Sequence, residues 1–128
     1  MKEPTVFSRI IKGEIPAHKI YEDDKVIAFL DIYPVNEGHT LVVPKIEINH
    51  IWDLDDVDYD YLWQITKKIS KHIQEVIGSP RVGAVVDGFG VPHAHIHLIP
   101  IYNGNDLKKE STKPTNDELA DVANRLRM

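Results

Sequence analysis

The stretch Pro92-His93-Ala94-His95-Ile96-His97-Leu98-Ile99-Pro100 decides how the rest of the chain must fold. In extended backbone, successive side chains point to opposite faces. A strand over 93–101 therefore sends His93, His95 and His97 one way and Ala94, Ile96 and Leu98 the other. One face is made for a core; the other carries three imidazoles. Proline at each end has no N–H to give a ladder, and Gly88 and Gly90 permit a tight turn just upstream, so the strand is delimited by its own chemistry.

Outward from this strand, residues 81–87 read as its predecessor and 88–92 as the turn between them. Further upstream, Leu62, Ile65, Ile69, Ile73 and Val76 step by three and four, which predicts a long amphipathic helix over 57–77, ended by Gly78 and Pro80. His72 lies at the rim of its apolar face, a place for packing or solvation. The acids of 53–60 suit a solvated helix entry. Trp52 and Trp63 read equally as core or as dimer contact. Downstream, 102–114 turns polar and reads as a loop, mobile or held by a partner. Thr115-Asn116-Asp117-Glu118 has the spacing of a capping box, and Leu119, Val122, Ala123 and Leu126 continue it as a helix over 115–127.

Toward the N-terminus, 39–44 is a strand rich in β-branched residues with His39 at its mouth. Residues 18–21 and 26–32 flank the acidic turn 22–25 as a hairpin. Val6, Phe7, Ile10 and Ile11 have helical spacing over 6–12, stopped at Gly13. His18 and His50 fall at element ends and are assigned no role. Mostly sequential antiparallel strands with helices between them make an α+β domain.

At 128 residues with 42% hydrophobic residues, the chain suffices for one domain with a modest core. A net charge of −5 and a pI near 5.7 leave no general attraction to nucleic acid or to an anionic membrane, so neither is an expected partner. The absence of cysteine removes disulfides, thiolate metal sites and a cysteine nucleophile, and suits a reducing cytoplasm. Residues 1–16 lack the apolar run of a signal peptide, and no stretch is long and apolar enough to span a bilayer. The expectation is a soluble, cytoplasmic protein.

Three chemistries compete for the histidine face. A bland surface strand is the first, though three like-facing imidazoles repel once protonated. A metal site is the second, because alternate histidines on a strand can converge on one ion. The third is nucleophilic catalysis at phosphorus: neutral imidazole attacks near pH 7, and its neighbours stabilise charge on the non-bridging oxygens.

His93-Ala94-His95-Ile96-His97-Leu98-Ile99 resembles the signature of the histidine triad (HIT) family: His, apolar, His, apolar, His, apolar, apolar. The segments from Phe7 to Pro16, Tyr21 to Asp24, Ala28 to Asp31 and Gly38 to Lys45 resemble, in order, its nucleotide-binding, Hint-like branch, so the likeness spans 6–101. It implies an α+β HIT fold with a five-stranded antiparallel sheet, a homodimer whose sheets join, and hydrolysis or transfer of a purine nucleoside monophosphate from a phosphoramidate, anhydride or related ester. By this resemblance His95 is the nucleophile that forms a nucleotidyl-histidine. His97 contacts phosphate oxygens and the leaving group, His93 orients His95, and His39 is the upstream fourth histidine. Asp31 binds the ribose hydroxyls, and Val6, Phe7, Ile10, Ile15, Phe29 and Leu41 form the purine slot. No metal or other cofactor is implied for the chemistry.

The chain departs from the family pattern before the triad. Asp87-Gly88-Phe89-Gly90-Val91-Pro92 is shorter than the usual loop, and the family's glutamine and hydroxyl residue have no counterpart. Gly90 and Val91 can still offer backbone N–H groups to phosphate, whereas Pro92 cannot. Asp87 stands where an amide is expected and would repel a phosphate within reach. This keeps open a nucleotide-binding regulatory protein with little turnover, and a metal-dependent enzyme that uses the histidine face as ligands.

Overall fold

The computed structural model describes residues 3–128. In chain order the elements are α1 (Val6–Ile11), β1 (Lys19–Glu22), β2 (Val26–Leu30), β3 (Thr40–Pro44), α2 (Asp56–Ile77), β4 (Arg81–Val85), β5 (Ile96–Ile101) and α3 (Asn116–Leu126), with 3-10 turns at Ile51–Asp53 and Asp106–Lys108. The strands form one antiparallel sheet in the order β1-β2-β3-β5-β4. The last two strands exchange places relative to the chain, so the histidine strand is an interior one, between β3 and β4, where the sequence reading makes it central.

Every residue of β2 and β3 is buried, because both faces of the sheet are covered. On one face Ala28, Leu30, Val42, Ile96 and Leu98 pack with Leu62, Ile69 and Ile73 of α2 and with Leu119, Val122 and Leu126 of α3. On the other, Ile27, Phe29, Leu41 and Val43 pack with Phe7 and Ile10 of α1. Each fully buried Leu, Ile or Phe contributes roughly 1.5–3 kcal/mol of transfer free energy.

Local chemistry bounds the helices. Thr5 and Ser8 form a capping box at α1, and Thr115 and Glu118 form the expected one at α3. The Asp55 carboxylate accepts from Asp58 N at 2.8 Å to start α2, and Gly78, at φ 80°, closes it in the left-handed conformation. Of the expected apolar face, Leu62, Ile69 and Ile73 are buried, while Ile65 and Val76 pack at its edge. His72 Nε2 donates to Leu126 O at 2.9 Å, so the histidine ties α2 to α3. The two tryptophans part company: Trp63 packs on the core and Trp52 is 69% exposed. In the hairpin turn, the Asp23 carboxylate accepts from the Lys25 and Val26 amides and from the Tyr21 and Tyr61 hydroxyls. Burial would raise that carboxyl, but these four donors outweigh it and hold it at about 2.

Several boundaries differ from the sequence reading. The histidine strand starts at Ile96, not at 93. β3 ends at Pro44, which has no N–H to extend the ladder, and 93–95 bond elsewhere: Ala94 N donates to Ile48 O at 2.7 Å and His93 N to Val91 O at 2.8 Å. β4 stops at Val85, β2 at Leu30, and β3 begins at Thr40, so Asp87, Asp31 and His39 all lie just beyond strand ends. The 3-10 turn at 51–53 has no periodicity to announce it.

The 102–114 segment, read as a mobile or partner-held loop, is tied down within the chain. Buried Asp106 accepts from Tyr102 N at 2.7 Å and Asn36 Nδ2 at 3.1 Å, and Thr112 donates twice to Pro34 O. Its polarity serves these bonds. Gly38, at φ 95°, is needed where the 34–38 turn crosses α2, since a β-carbon there would approach Ile77 Cγ1 to 2.9 Å. Among the described residues, no helix is long and apolar enough to cross a membrane.

Candidate active site

A cleft of about 700 Å³ opens between α1 and the ends of the central strands. Its apolar wall is Val6, Phe7, Ile10, Ile15, Phe29 and Leu41, the six residues named from the resemblance as a purine slot. Its polar side holds Asp31, Asp87, Gly90, Val91, His95 and His97. His39 and His93 stand behind this lining, both buried.

Hydrogen bonds set the imidazole tautomers. His95 Nδ1 lies 2.6 Å from His93 O. A carbonyl oxygen only accepts, so Nδ1 carries the proton and the lone pair sits on Nε2. The buried ring packs edge-on against Phe7, centroids 4.9 Å apart. His39 Nδ1 accepts from Val35 N at 3.0 Å, which puts the His39 proton on Nε2. That nitrogen donates to His97 Nδ1 at 3.0 Å, so neutral His97 carries its own proton on Nε2. One backbone amide thus propagates a donor direction through two rings. The result is a nitrogen lone pair on His95 beside an N–H donor on His97, with ring centroids 5.0 Å apart.

Burial disfavours the charged form of His39 and His97. It pushes His39 down to about 4, overriding the upward pull of Asp31, with His97 pushing the same way as burial. Burial and neighbouring His95 lower His97, against Asp31 and Asp87. Asp31 divides its carboxylate: Oδ1 accepts from Tyr33 N at 2.8 Å, capping the following turn, while Oδ2 lies 3.6 Å from His39 Nε2. One carboxylate thus caps the turn with one oxygen and faces the histidines with the other.

His93 meets the site by a route that side-chain alternation hides. Its ring Nε2 donates to Pro44 O at 2.7 Å, and it is the backbone carbonyl of residue 93 that holds His95. Pro16, Ala17, His18, Ile32, Tyr33 and Asn116 also line the cleft, and the sequence assigns none of them to the site. His18 Nε2 and Asn116 Oδ1 meet at 2.9 Å across 98 positions of chain, a pairing that no local pattern signals. Among the described residues, two trios, Asp31 with His39 and His97, and Asp87 with His95 and His97, bring their ligand atoms within 4.8 Å and could hold a metal ion.

The HIT domain profile matches residues 12–104. HIT-like protein MJ0866 of Methanocaldococcus jannaschii is 42% identical over 107 residues, covering 78% of this chain and 81% of its own length. Adenylylsulfatase HINT3 of Arabidopsis thaliana is 31% identical over 127 residues, covering 88% of this chain and 63% of its own. The crystal structure of a Hit-like protein involved in cell-cycle regulation from Bartonella henselae superposes with a TM-score of 0.87 at 30% identity, over 99% of this chain and 97% of that one. Motif, sheet and relatives agree, and the chain belongs to the HIT domain family.

Proposed function

We propose that the protein is a nucleotide hydrolase that cleaves purine nucleoside 5′-phosphoramidates, or related nucleotidyl anhydrides, through a nucleotidyl-His95 intermediate. The observation that carries this reading is the 2.6 Å bond from His95 Nδ1 to His93 O, which leaves the Nε2 lone pair for attack inside a cleft with an apolar slot at one end. The relative named an adenylylsulfatase favours nucleotidyl chemistry.

In the first half-reaction the His95 Nε2–phosphorus bond forms and the bond from phosphorus to the leaving atom breaks, its electron pair staying with that atom. A proton from solvent passes to it, while His97 Nε2–H donates a hydrogen bond to the phosphoryl oxygens and the departing atom. In the second half, water attacks phosphorus, the pair returns to His95 Nε2, and the proton lost by the water passes to solvent. Val6, Phe7, Ile10, Ile15, Phe29 and Leu41 hold the base, and Asp31 the ribose hydroxyls. The amides of Gly90 and Val91 face the phosphate, and His39 keeps His97 in its donor tautomer. The same reading takes the protein as a cytoplasmic homodimer joined at β4, an edge strand with one side of its ladder open. Light scattering measures that mass.

The test is AMP release from adenosine 5′-phosphoramidate in excess chelator. Wild type turns over, and His95→Ala loses about 10³-fold or more in kcat/KM. An unchanged rate in the variant overturns the assignment. Tight nucleotide binding without turnover favours the regulatory reading, which Asp87 beside the histidines supports.

A further inference from the structure

We infer that Asp87 selects the leaving group by charge, favouring nucleotides whose leaving group carries a cationic amine and disfavouring a second phosphate chain. This rests on the hydrolase reading above and goes beyond it to the class of leaving group. A carboxylate oxygen of Asp87 and one ring nitrogen each of His95 and His97 lie within 4.8 Å of one another, so a phosphorus seated over His95 brings its leaving group past this carboxylate.

Asp87 is placed there by the fold. β4 ends at Val85, opposite His97 in the ladder, and the chain turns through Gly88, at φ 76°, leaving Asp87 exposed at the cleft mouth. One of its oxygens accepts from Phe89 N at 3.3 Å; the carboxylate has no ion-pair partner among the described residues. Asp31, the other carboxylate of the cleft, gives one oxygen to Tyr33 N and sets the other 3.6 Å from His39 Nε2.

Among the described residues, no lysine or arginine lines the cleft to meet the charge of a polyphosphate; its nitrogenous side chains are His18, His95, His97 and Asn116. A leaving group with further phosphates would stack anionic charge against Asp87 with only imidazole N–H groups to receive it. An ammonium on the leaving group would instead meet an open carboxylate. Because Asp87 is solvent-exposed, the discrimination is moderate, on the order of tenfold for each sign of charge.

The experiment compares kcat/KM for three substrates: adenosine 5′-phosphoramidate, an adenylate amide of an aminoalkyl amine, and diadenosine tetraphosphate. It uses wild type, Asp87→Asn and Asp87→Glu. Asp87→Asn is expected to lower the ratio of the cationic substrate to the polyphosphate by about 100-fold, Asp87→Glu to keep it, and salt to compress it in the wild type. A ratio unmoved by Asp87→Asn, a uniform fall on all three substrates, or Asp87→Glu behaving like Asp87→Asn overturns the selector. Absence of wild-type turnover on all three overturns the hydrolase reading itself.

Discussion

The two faces of the sheet are built from the same strands and put to different uses. Under α2 and α3 lies a dry apolar layer in which Leu62, Ile69, Ile73, Val42 and Ile96 are wholly buried. Under α1 the layer is thinner, and beyond Phe7 it gives way to histidines buried with their protons assigned by backbone groups. The first face stores stability. The second gives part of the interior to polar rings, each held by a hydrogen bond. Histidine, unlike aspartate or lysine, can be buried neutral with one nitrogen satisfied and the other left for reaction.

That contrast can be broken first by exchanging the damage. Leu62→Ala removes a wholly buried side chain from the helix-covered face and is expected to cost about 3 kcal/mol, with per-molecule activity retained below the melting transition. His95→Ala is expected to do the reverse, removing activity about 10³-fold or more while the urea midpoint moves little. If Leu62→Ala abolished activity in fully folded protein, the two faces would not be separable.

The pH dependence of stability sharpens the same contrast. His39 is held down to about 4 in the folded state, against an unfolded value of 6.5, so the unfolded chain binds the extra proton between them. The stability from keeping His39 neutral is complete above about pH 6.5 and is lost as pH falls toward 4, up to roughly 3 kcal/mol. Denaturant midpoints measured from pH 7 to 4 should fall steeply in the wild type and less steeply in His39→Asn, which has no such proton to take up. Equal slopes would show that the acid sensitivity lies elsewhere.

The smallest expected effect lies far from either face. Thr115→Ala removes the α3 cap and is expected to cost about 1 kcal/mol in a thermal melt, without changing kcat/KM. A change in turnover would mean that α3, through Asn116 at the cleft, is coupled to the site.

Where the sequence reading succeeded, the signal was periodic or local. The period of 2 through residues 93–99 separated Ala94, Ile96 and Leu98 from the histidines, the steps of three and four marked α2, and Thr115 to Glu118 declared the start of α3. Where it failed, the cause was a partner distant in the chain. The strand shortened at its start because Ala94 found Ile48 and His93 found Pro44, and the polar 102–114 segment is ordered because Asp106 and Thr112 reach the 34–36 turn. His18 and Asn116 were passed over because neither is informative until the other is beside it.

Residue order alone determined which side chains face the core and which histidines share a face, because strand and helix periodicity is a property of the backbone and acts within a few residues. Only the tertiary structure decided which nitrogen of each ring holds its proton. That choice depends on single donors and acceptors: Val35 N for His39, His39 for His97, and the His93 carbonyl for His95. It was also tertiary structure that placed Asp87 beside His95 and His97, since a loop's side chains are aimed by the strand ends that anchor it. Periodicity sets a face; hydrogen-bond direction, which chemistry requires, exists only once the partners have met.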